Sequence, residues 1–212
     1  MTVANFVHRF EPARDSEAPA LLLLHGTGGD ENDLLGLGRA IAPGAALLSP
    51  RGRVLENGMP RFFRRLAEGV FDEDDVRRRA DELADFVDEA RARYNVPPPV
   101  AVGYSNGANI AAAVMLLRPQ TLSGGILLRA MVPLRQPPKP NLSGKSVLVV
   151  SGTHDPIISV ANATTLVSQL RDAGAAVDHR LLPAGHNLSH ADVNAASHWL
   201  NAMATGKTFA AV

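Results

Sequence analysis

Cysteine is absent from the 212-residue chain, so disulfide bonds, thiolate metal sites and a cysteine nucleophile are all excluded. Apolar runs are short, and none approaches the roughly 18 residues that a membrane-spanning helix needs. The formal net charge is +0, so no overall positive field favours a nucleic-acid partner. The opening segment MTVANFVHRF lacks the basic and apolar regions of a signal peptide, and we therefore expect a cytoplasmic protein.

The chain does contain an alternation of apolar runs and amphipathic stretches. Six apolar runs are predicted as buried strands: Ala20–Leu24, Ala45–Leu48, Val100–Val102, Gly125–Leu128, Val147–Val150 and Val177–Leu182. Helices are predicted over Glu73–Tyr94, Asn106–Leu117, Val160–Arg171 and Ala191–Met203. An antiparallel edge strand is expected within Val3–Phe10. This order predicts an α/β fold with a mostly parallel, twisted sheet and helices on both faces, formed by residues 1–212 as a single domain.

The main chemical signal is the pentapeptide Gly103-Tyr104-Ser105-Asn106-Gly107. This Gly-x-Ser-x-Gly pattern follows the apolar run PVAV and precedes the apolar run NIAAAVMLL, which is the strand–turn–helix setting of a nucleophile elbow. Flanking side chains would clash on a turn tight enough to project the serine hydroxyl above the sheet. An ordinary glycine-rich turn is the alternative, but the context predicts Ser105 as a nucleophile.

The partner carboxylate is chosen by elimination, because only four carboxylates follow Ser105 and none is a glutamate. Asp172 lies near the end of a predicted helix and Asp178 lies within a predicted strand. Asp192 falls in the first turn of a helix, where its interaction with the helix dipole accounts for it. Asp155 alone follows the carboxyl end of a buried strand, where catalytic groups of parallel sheets gather. A turn or capping aspartate is the alternative for this position.

Seven histidines compete for the role of general base. Four are set aside by their position in the chain: His8, His154, His179 and His198. His25 precedes Ser105, whereas enzymes with this elbow order their triad as serine, acid, histidine. His186 lies in a loop that can reach across the sheet edge, and it is preferred over His190 at the start of the last helix. We expect no metal site from this histidine pair, because Asn187 rather than glutamate follows the first histidine.

A glycine-rich segment, His25-Gly26-Thr27-Gly28-Gly29-Asp30, follows the first buried strand. Tight glycines let a backbone N–H here face the oxygen of a reacting carbonyl. The N–H of Asn106, directly after the nucleophile, is the second expected donor of this oxyanion hole. The segment matches neither the phosphate-binding loop nor the Gly-x-Gly-x-x-Gly pattern, so no nucleotide cofactor is expected.

Residues 50–71 match neither helical nor strand periodicity, and a connection this long is usually functional or mobile. We predict a loop segment that covers the substrate. One hypothesis is an acyl pocket lined by Phe62, Phe63 and Phe71, and the alternative is that these rings anchor the segment in the core. Two interpretations are likewise open for Arg61, Arg64 and Arg65: they attract an acidic substrate, or they lie on a solvated helix face.

Four motifs together, HGTGGDENDLL, GYSNGANIA, GTHDPII and PAGHNLS, resemble the phospholipase/carboxylesterase branch of the α/β hydrolases. The resemblance covers nearly the whole chain and implies an α/β-hydrolase fold without a cofactor. It implies that Thr27 and Asn106 supply the oxyanion N–H groups, and that the protein forms a homodimer. Acyl-protein thioesterases of this branch have glutamine after the nucleophile. The asparagine at position 106 therefore favours small esters over long-chain protein depalmitoylation.

The combined prediction is a serine carboxylesterase that acts on small or medium acyl esters through an acyl-enzyme. His186 takes the Ser105 proton, Ser105 attacks the carbonyl, and Asp155 orients the imidazole. Three alternatives use the same fold: a thioesterase, a hydrolase of carbon–carbon bonds, and a small-molecule receptor without turnover.

Overall fold

The computed structural model describes residues 6–204. Its strands are β1 (His8–Glu11), β2 (Leu21–Leu24), β3 (Leu47–Pro50), β4 (Val54–Glu56), β5 (Met59–Arg61), β6 (Arg65–Ala67), β7 (Val70–Phe71), β8 (Val100–Tyr104), β9 (Gly124–Leu128), β10 (Ser146–Gly152) and β11 (Ala176–Leu182). Its helices are α1 (Leu35–Ile41), α2 (Glu73–Tyr94), α3 (Asn106–Leu117), α4 (Val160–Asp172) and α5 (His190–Ala204).

Seven strands form one sheet in the order β1-β3-β2-β8-β9-β10-β11. β1 runs antiparallel to β3, and the other neighbours are parallel. The predicted α/β class with a mostly parallel sheet is confirmed. Part of the predicted edge strand, residues 3–5, lies outside the described residues, and the described part pairs with β3 through His8–Glu11.

The two faces of the sheet are covered by different helices. Within β2, Leu22 and Leu24 pack in the cluster that holds α2, α3 and α4, whereas Leu21 and Leu23 pack with α1 and α5. All four leucines are 0% exposed. Full burial of each such side chain stabilises the fold by about 1.5–3 kcal/mol, which explains why this strand is apolar throughout instead of alternating.

The longest helix, α2, begins and ends at residues that complete its terminal hydrogen bonds. The Asp72 side chain accepts from the backbone N–H of Asp75, which makes Asp72 the N-cap of this helix. At the other end Asn95 adopts a left-handed conformation with φ 52°, and its N–H donates to the carbonyl of Arg91. No helix within residues 6–204 is long and apolar enough to cross a membrane.

Two regions differ from the sequence prediction. Residues 50–71 contain two small antiparallel hairpins, β4–β5 and β6–β7, where no element is predicted. The first hairpin turns at Asn57-Gly58 with φ 51° and 80°, as a type I′ turn requires. Helix α1 is also unpredicted, because it has only seven residues, includes two glycines and lacks a side-chain cap.

Candidate active site

Ser105 lies on a strained turn between β8 and α3, with φ 51° and ψ −113°. The flanking glycines are sterically required. A Cβ at Gly107 would lie 1.9 Å from the carbonyl oxygen of Leu24, and one at Gly103 would lie 2.6 Å from the backbone of Ala108. The turn is held because the Ser105 N–H donates to the carbonyl of Leu128 at 2.9 Å. A side chain held in such a sparsely populated conformation is typical of a functional site.

Three side chains predicted from separate parts of the chain meet above the carboxyl ends of the strands. His186 Nε2 lies 3.0 Å from Ser105 Oγ, and His186 Nδ1 lies 2.8 Å from Asp155 Oδ2. Both distances are within hydrogen-bonding range, so a proton has a continuous path from hydroxyl to imidazole. Tyr104 flanks this chain, because its ring centroid lies 5.5 Å from that of His186.

The Asp155 side chain is only 1% exposed, and three hydrogen bonds hold its carboxylate. Its Oδ1 accepts from the backbone N–H groups of Ile157 and Ile158 at 2.8 and 3.0 Å. Burial raises the pKa of Asp155, but the bonds from His186 and from these two amides outweigh burial, and the net shift is downward. The carboxylate is therefore charged and able to stabilise an imidazolium.

The loop that contains Asp155 and the loop that contains His186 approach each other closely. A Cβ at Gly152 would lie 2.3 Å from the carbonyl oxygen of Ala184, so only glycine allows this packing. Backbone bonds join the loops, because the N–H groups of Thr153 and His154 donate to the carbonyls of Leu182 and Ala184 at 2.8 and 3.1 Å. The separation between Asp155 and His186 is thus fixed by the backbone.

A buried ion pair, which sequence reasoning missed, supports the loop that contains His186. Arg129 and Asp192 are both 0% exposed, with Arg129 Nη1 2.6 Å from Asp192 Oδ1. Arg129 also donates to the carbonyls on both sides of His186, to Gly185 at 2.8 Å and to Asn187 at 3.3 Å. Asp192 therefore does more than interact with the helix dipole.

One local signal for this pair was present in the sequence. Asp192 accepts from the N–H and Oγ of Ser189 at 2.8 and 2.9 Å, which makes Ser-x-x-Asp a capping sequence at the start of α5. No local sequence pattern indicated Arg129, because its partner Asp192 lies 63 residues away in the chain. Arg129 also has a positive φ of 54°, which is unusual for a residue other than glycine.

The two expected oxyanion donors, Thr27 and Asn106, both line the cavity beside Ser105. Segment 50–71 braces both. The Asn106 side-chain oxygen accepts from the N–H of Phe62 at 2.8 Å, and Thr27 Oγ1 accepts from Arg61 at 2.7 Å. These contacts fix the side chains whose backbone N–H groups would face the carbonyl oxygen.

The cavity has a volume of about 360 Å³ and brings Ser105 and His186 together with part of segment 50–71. Phe71 lines it as predicted. The prediction is wrong for Phe62 and Phe63, which are core residues with 3% and 0% exposure. Both residues lie in the connection between the two hairpins, where their rings pack into the core, and Phe63 meets Phe71 edge-on with centroids 4.9 Å apart. The apolar wall is completed by Tyr104, Met131, Ile157 and Ile158.

A family model described as Phospholipase/Carboxylesterase matches residues 7–204 of the chain. The chain belongs to this family. The predicted resemblance and the α/β-hydrolase fold are thereby confirmed, and the protein is a member of a hydrolase family that includes carboxylesterases.

Three known proteins are similar to this chain along most of its length. The putative hydrolase MhqD of Bacillus subtilis is 49% identical over 181 residues, 84% of this chain and 90% of that protein. A crystal structure of the Bacillus cereus carboxylesterase is 48% identical with a TM-score of 0.91, covering 93% and 94% of the two chains. A carboxylesterase from Mesorhizobium loti is 34% identical with a TM-score of 0.88, covering 92% and 94%.

Proposed function

We propose that this hydrolase is a serine carboxylesterase with Ser105 as nucleophile, His186 as general base and Asp155 as the acid that orients it. The observation that carries the proposal is the continuous hydrogen-bonded chain from Ser105 through His186 to Asp155, with Ser105 and His186 in the wall of an open cavity. No other hydroxyl of the described residues combines a histidine, a carboxylate and a cavity in this way.

The reaction proceeds in two steps. His186 Nε2 accepts the Ser105 proton as Oγ attacks the ester carbonyl, and the resulting oxyanion accepts from the N–H groups of Thr27 and Asn106. Each of these donors contributes about 3–4 kcal/mol to the transition state. The alcohol leaves with the proton from His186, and water activated by the same imidazole then releases the acid.

The cavity supports small or medium acyl groups. Its volume of about 360 Å³ is at the lower end of the roughly 300–1,000 Å³ range of ligand pockets. Segment 50–71 contributes to the wall, which supports its proposed role as a cover over the substrate; its wall residues are Arg61, Arg65, Glu68, Gly69 and Phe71. From the family resemblance we also propose a homodimer, and from the sequence pattern a cytoplasmic protein in which residues 1–212 form one domain. Light scattering tests the homodimer.

Turnover of p-nitrophenyl acetate tests the proposal. Ser105→Ala should lower kcat by about 10⁶-fold when chemistry limits the rate. Ser151→Ala is a matched control, because Ser151 Oγ also lies 3.0 Å from a histidine, His179, but has no place in the cavity wall. The control should keep its rate within a few fold. Retention of most turnover in Ser105→Ala would contradict the assignment, and a thioester series would separate the thioesterase alternative.

A further inference from the structure

The three arginines of segment 50–71 have different environments. Arg64 is 65% exposed, pairs with Asp72 and does not contribute to the cavity wall. Arg61 and Arg65 line the same cavity as Ser105, with side chains 4% and 30% exposed. Two of the three arginines therefore contribute to the cavity wall, while the third pairs at the surface.

The two cavity arginines share one carboxylate. Arg61 Nη1 lies 3.1 Å from Glu56 Oε2, and Arg65 Nε lies 2.8 Å from Glu56 Oε1. Burial lowers the pKa of Arg61, Glu56 raises it, and the neighbouring Arg65 lowers it again, yet a guanidinium stays protonated in proteins. Glu56 neutralises only one of the two cations, so the group formed by Arg61, Arg65 and Glu56 carries one excess positive charge.

The hydrogen bonds within residues 6–204 leave part of each guanidinium available. Arg61 uses Nε on the carbonyl of Phe63 at 3.3 Å and Nη1 on Thr27 Oγ1 at 2.7 Å, which leaves Nη2. Arg65 uses Nε on Glu56, which leaves both terminal nitrogens. A ligand carboxylate can therefore accept from terminal nitrogens of both arginines, in charge-assisted hydrogen bonds.

We propose that Arg61 and Arg65 form a carboxylate-binding subsite, so that the preferred ester has a second, ionised carboxyl group near its scissile carbonyl. This inference rests on the proposed esterase function. The carboxylate-binding subsite would lie next to the proposed oxyanion hole, because Thr27 Oγ1 contacts Arg61 and the Thr27 N–H is the proposed oxyanion donor. A carboxylate monoanion suits this pair better than a phosphate group of about −1.5 to −2 charges, because Glu56 already neutralises one of the two guanidinium charges.

Glu68 acts against this subsite. Its side chain also lines the cavity and is exposed. A carboxylate in contact with water is screened by solvent and salt, whereas Arg61 is almost fully buried and its field is less screened. Glu68 therefore weakens the attraction without cancelling it, and its neutralisation should strengthen the selection of anionic esters.

The test compares two isosteric esters, methyl hydrogen glutarate and methyl glutaramate, which differ in a terminal carboxylate or amide. The wild-type kcat/KM, measured by pH-stat, should be about tenfold or more higher for the carboxylate ester. Arg65→Gln should bring this ratio close to one, and Arg65→Lys should restore part of it. Arg64→Gln is the matched control and should keep the wild-type ratio, while Glu68→Gln should raise it.

Binding to the Ser105→Ala variant separates this proposal from the esterase proposal. Calorimetry should show tighter binding of methyl hydrogen glutarate than of methyl glutaramate, whether or not the wild type hydrolyses either compound. A wild-type preference of one or less in both kinetics and binding overturns the subsite, as does a preference that Arg65→Gln leaves unchanged. Failure of ester turnover with the binding preference intact overturns only the esterase proposal.

Discussion

The carboxyl edge of the sheet and segment 50–71 meet at one cavity but are constructed differently. At the sheet edge, Ser105 follows a five-residue strand, Asp155 follows a seven-residue strand, and each is held by hydrogen bonds to neighbouring backbone. Segment 50–71 instead consists of strands of two or three residues, whose arginines form partly exposed ion pairs. Under the proposed function, the rigid edge sets the chemistry and the short hairpins set which substrate is accepted.

The two regions are joined by hydrogen bonds that cross between them. The N–H of Gly52 donates to His25 Nε2 at 2.9 Å, and the N–H of Gly28 donates to the carbonyl of Pro60 at 2.9 Å. His25 is the first residue of the glycine-rich segment that contains Thr27, the proposed oxyanion donor. Changes in the hairpins should therefore reach the oxyanion hole through backbone geometry as well as through the cavity wall.

The largest effect should come from His186→Ala at the sheet edge. Without the imidazole no base takes the Ser105 proton, and kcat on p-nitrophenyl acetate should fall by about 10⁶-fold. His190→Ala is the control, because His190 is exposed at the start of α5 and makes no bond to Ser105. Similar losses in both variants would contradict the assignment of the base.

A large effect on stability should follow from Arg129→Met. The change leaves the Asp192 charge buried and unpaired, which costs about 3–5 kcal/mol of unfolding free energy in urea. Arg180→Met removes a pair with Asp178 whose side chains are 31% and 19% exposed, and should cost about 1 kcal/mol or less. Equal losses of unfolding free energy in the two variants would show that the buried pair does not support the loop that contains His186.

The phenylalanines of segment 50–71 should separate stability from selectivity. Phe63→Ala should cost about 3–5 kcal/mol of unfolding free energy, because the ring is 0% exposed. Phe71→Ala should cost less and instead change the relative kcat/KM for acetyl, butyryl and octanoyl esters, because Phe71 lines the cavity. An unchanged chain-length profile in Phe71→Ala would remove this ring from the acyl site.

The smallest effect should be a pH dependence at the joint between the regions. Burial lowers the pKa of His25 from 6.5, and Nε2 accepts from Gly52, so the folded state holds the neutral imidazole. The unfolded chain therefore binds a proton at a higher pH than the folded protein does. Stability should fall as the pH drops below about 6.5, by at most about 1.4 kcal/mol per pH unit for this one group.

Urea unfolding at several pH values checks this effect. Burial also lowers the pKa of His179, so His179→Asn should remove part of the slope and His25→Asn another part. A slope that neither change reduces would contradict the assignment to these two groups.

The sequence predicted the sheet edge well because its signals are local and strong. The six predicted strands and four predicted helices all occur, with ends shifted by at most a few residues. The triad positions were predicted because each of them follows a strand of the parallel sheet, so that the fold brings them to one edge. Their catalytic roles are still predictions, but the structure places their atoms within hydrogen-bonding distance.

The sequence did not predict segment 50–71 or the buried pair, for physical reasons. A strand of two or three residues is too short to display an alternating pattern, although the Asn57-Gly58 turn was a usable signal. The inward orientation of Phe62 and Phe63 depends on the tertiary packing of the hairpins. Arg129 meets Asp192 across 63 residues, and no short-range pattern records such a contact.

Formation of a covalent acyl-enzyme on Ser105 can be detected by mass spectrometry after rapid acid quenching. With p-nitrophenyl acetate as substrate, we expect an acetyl group on the peptide that contains Ser105 in the wild type and none in Ser105→Ala. Turnover without any acetylated Ser105 in a quench fast enough to trap the intermediate, or acetylation of another residue that supports full turnover, would contradict the assignment of Ser105 as the nucleophile.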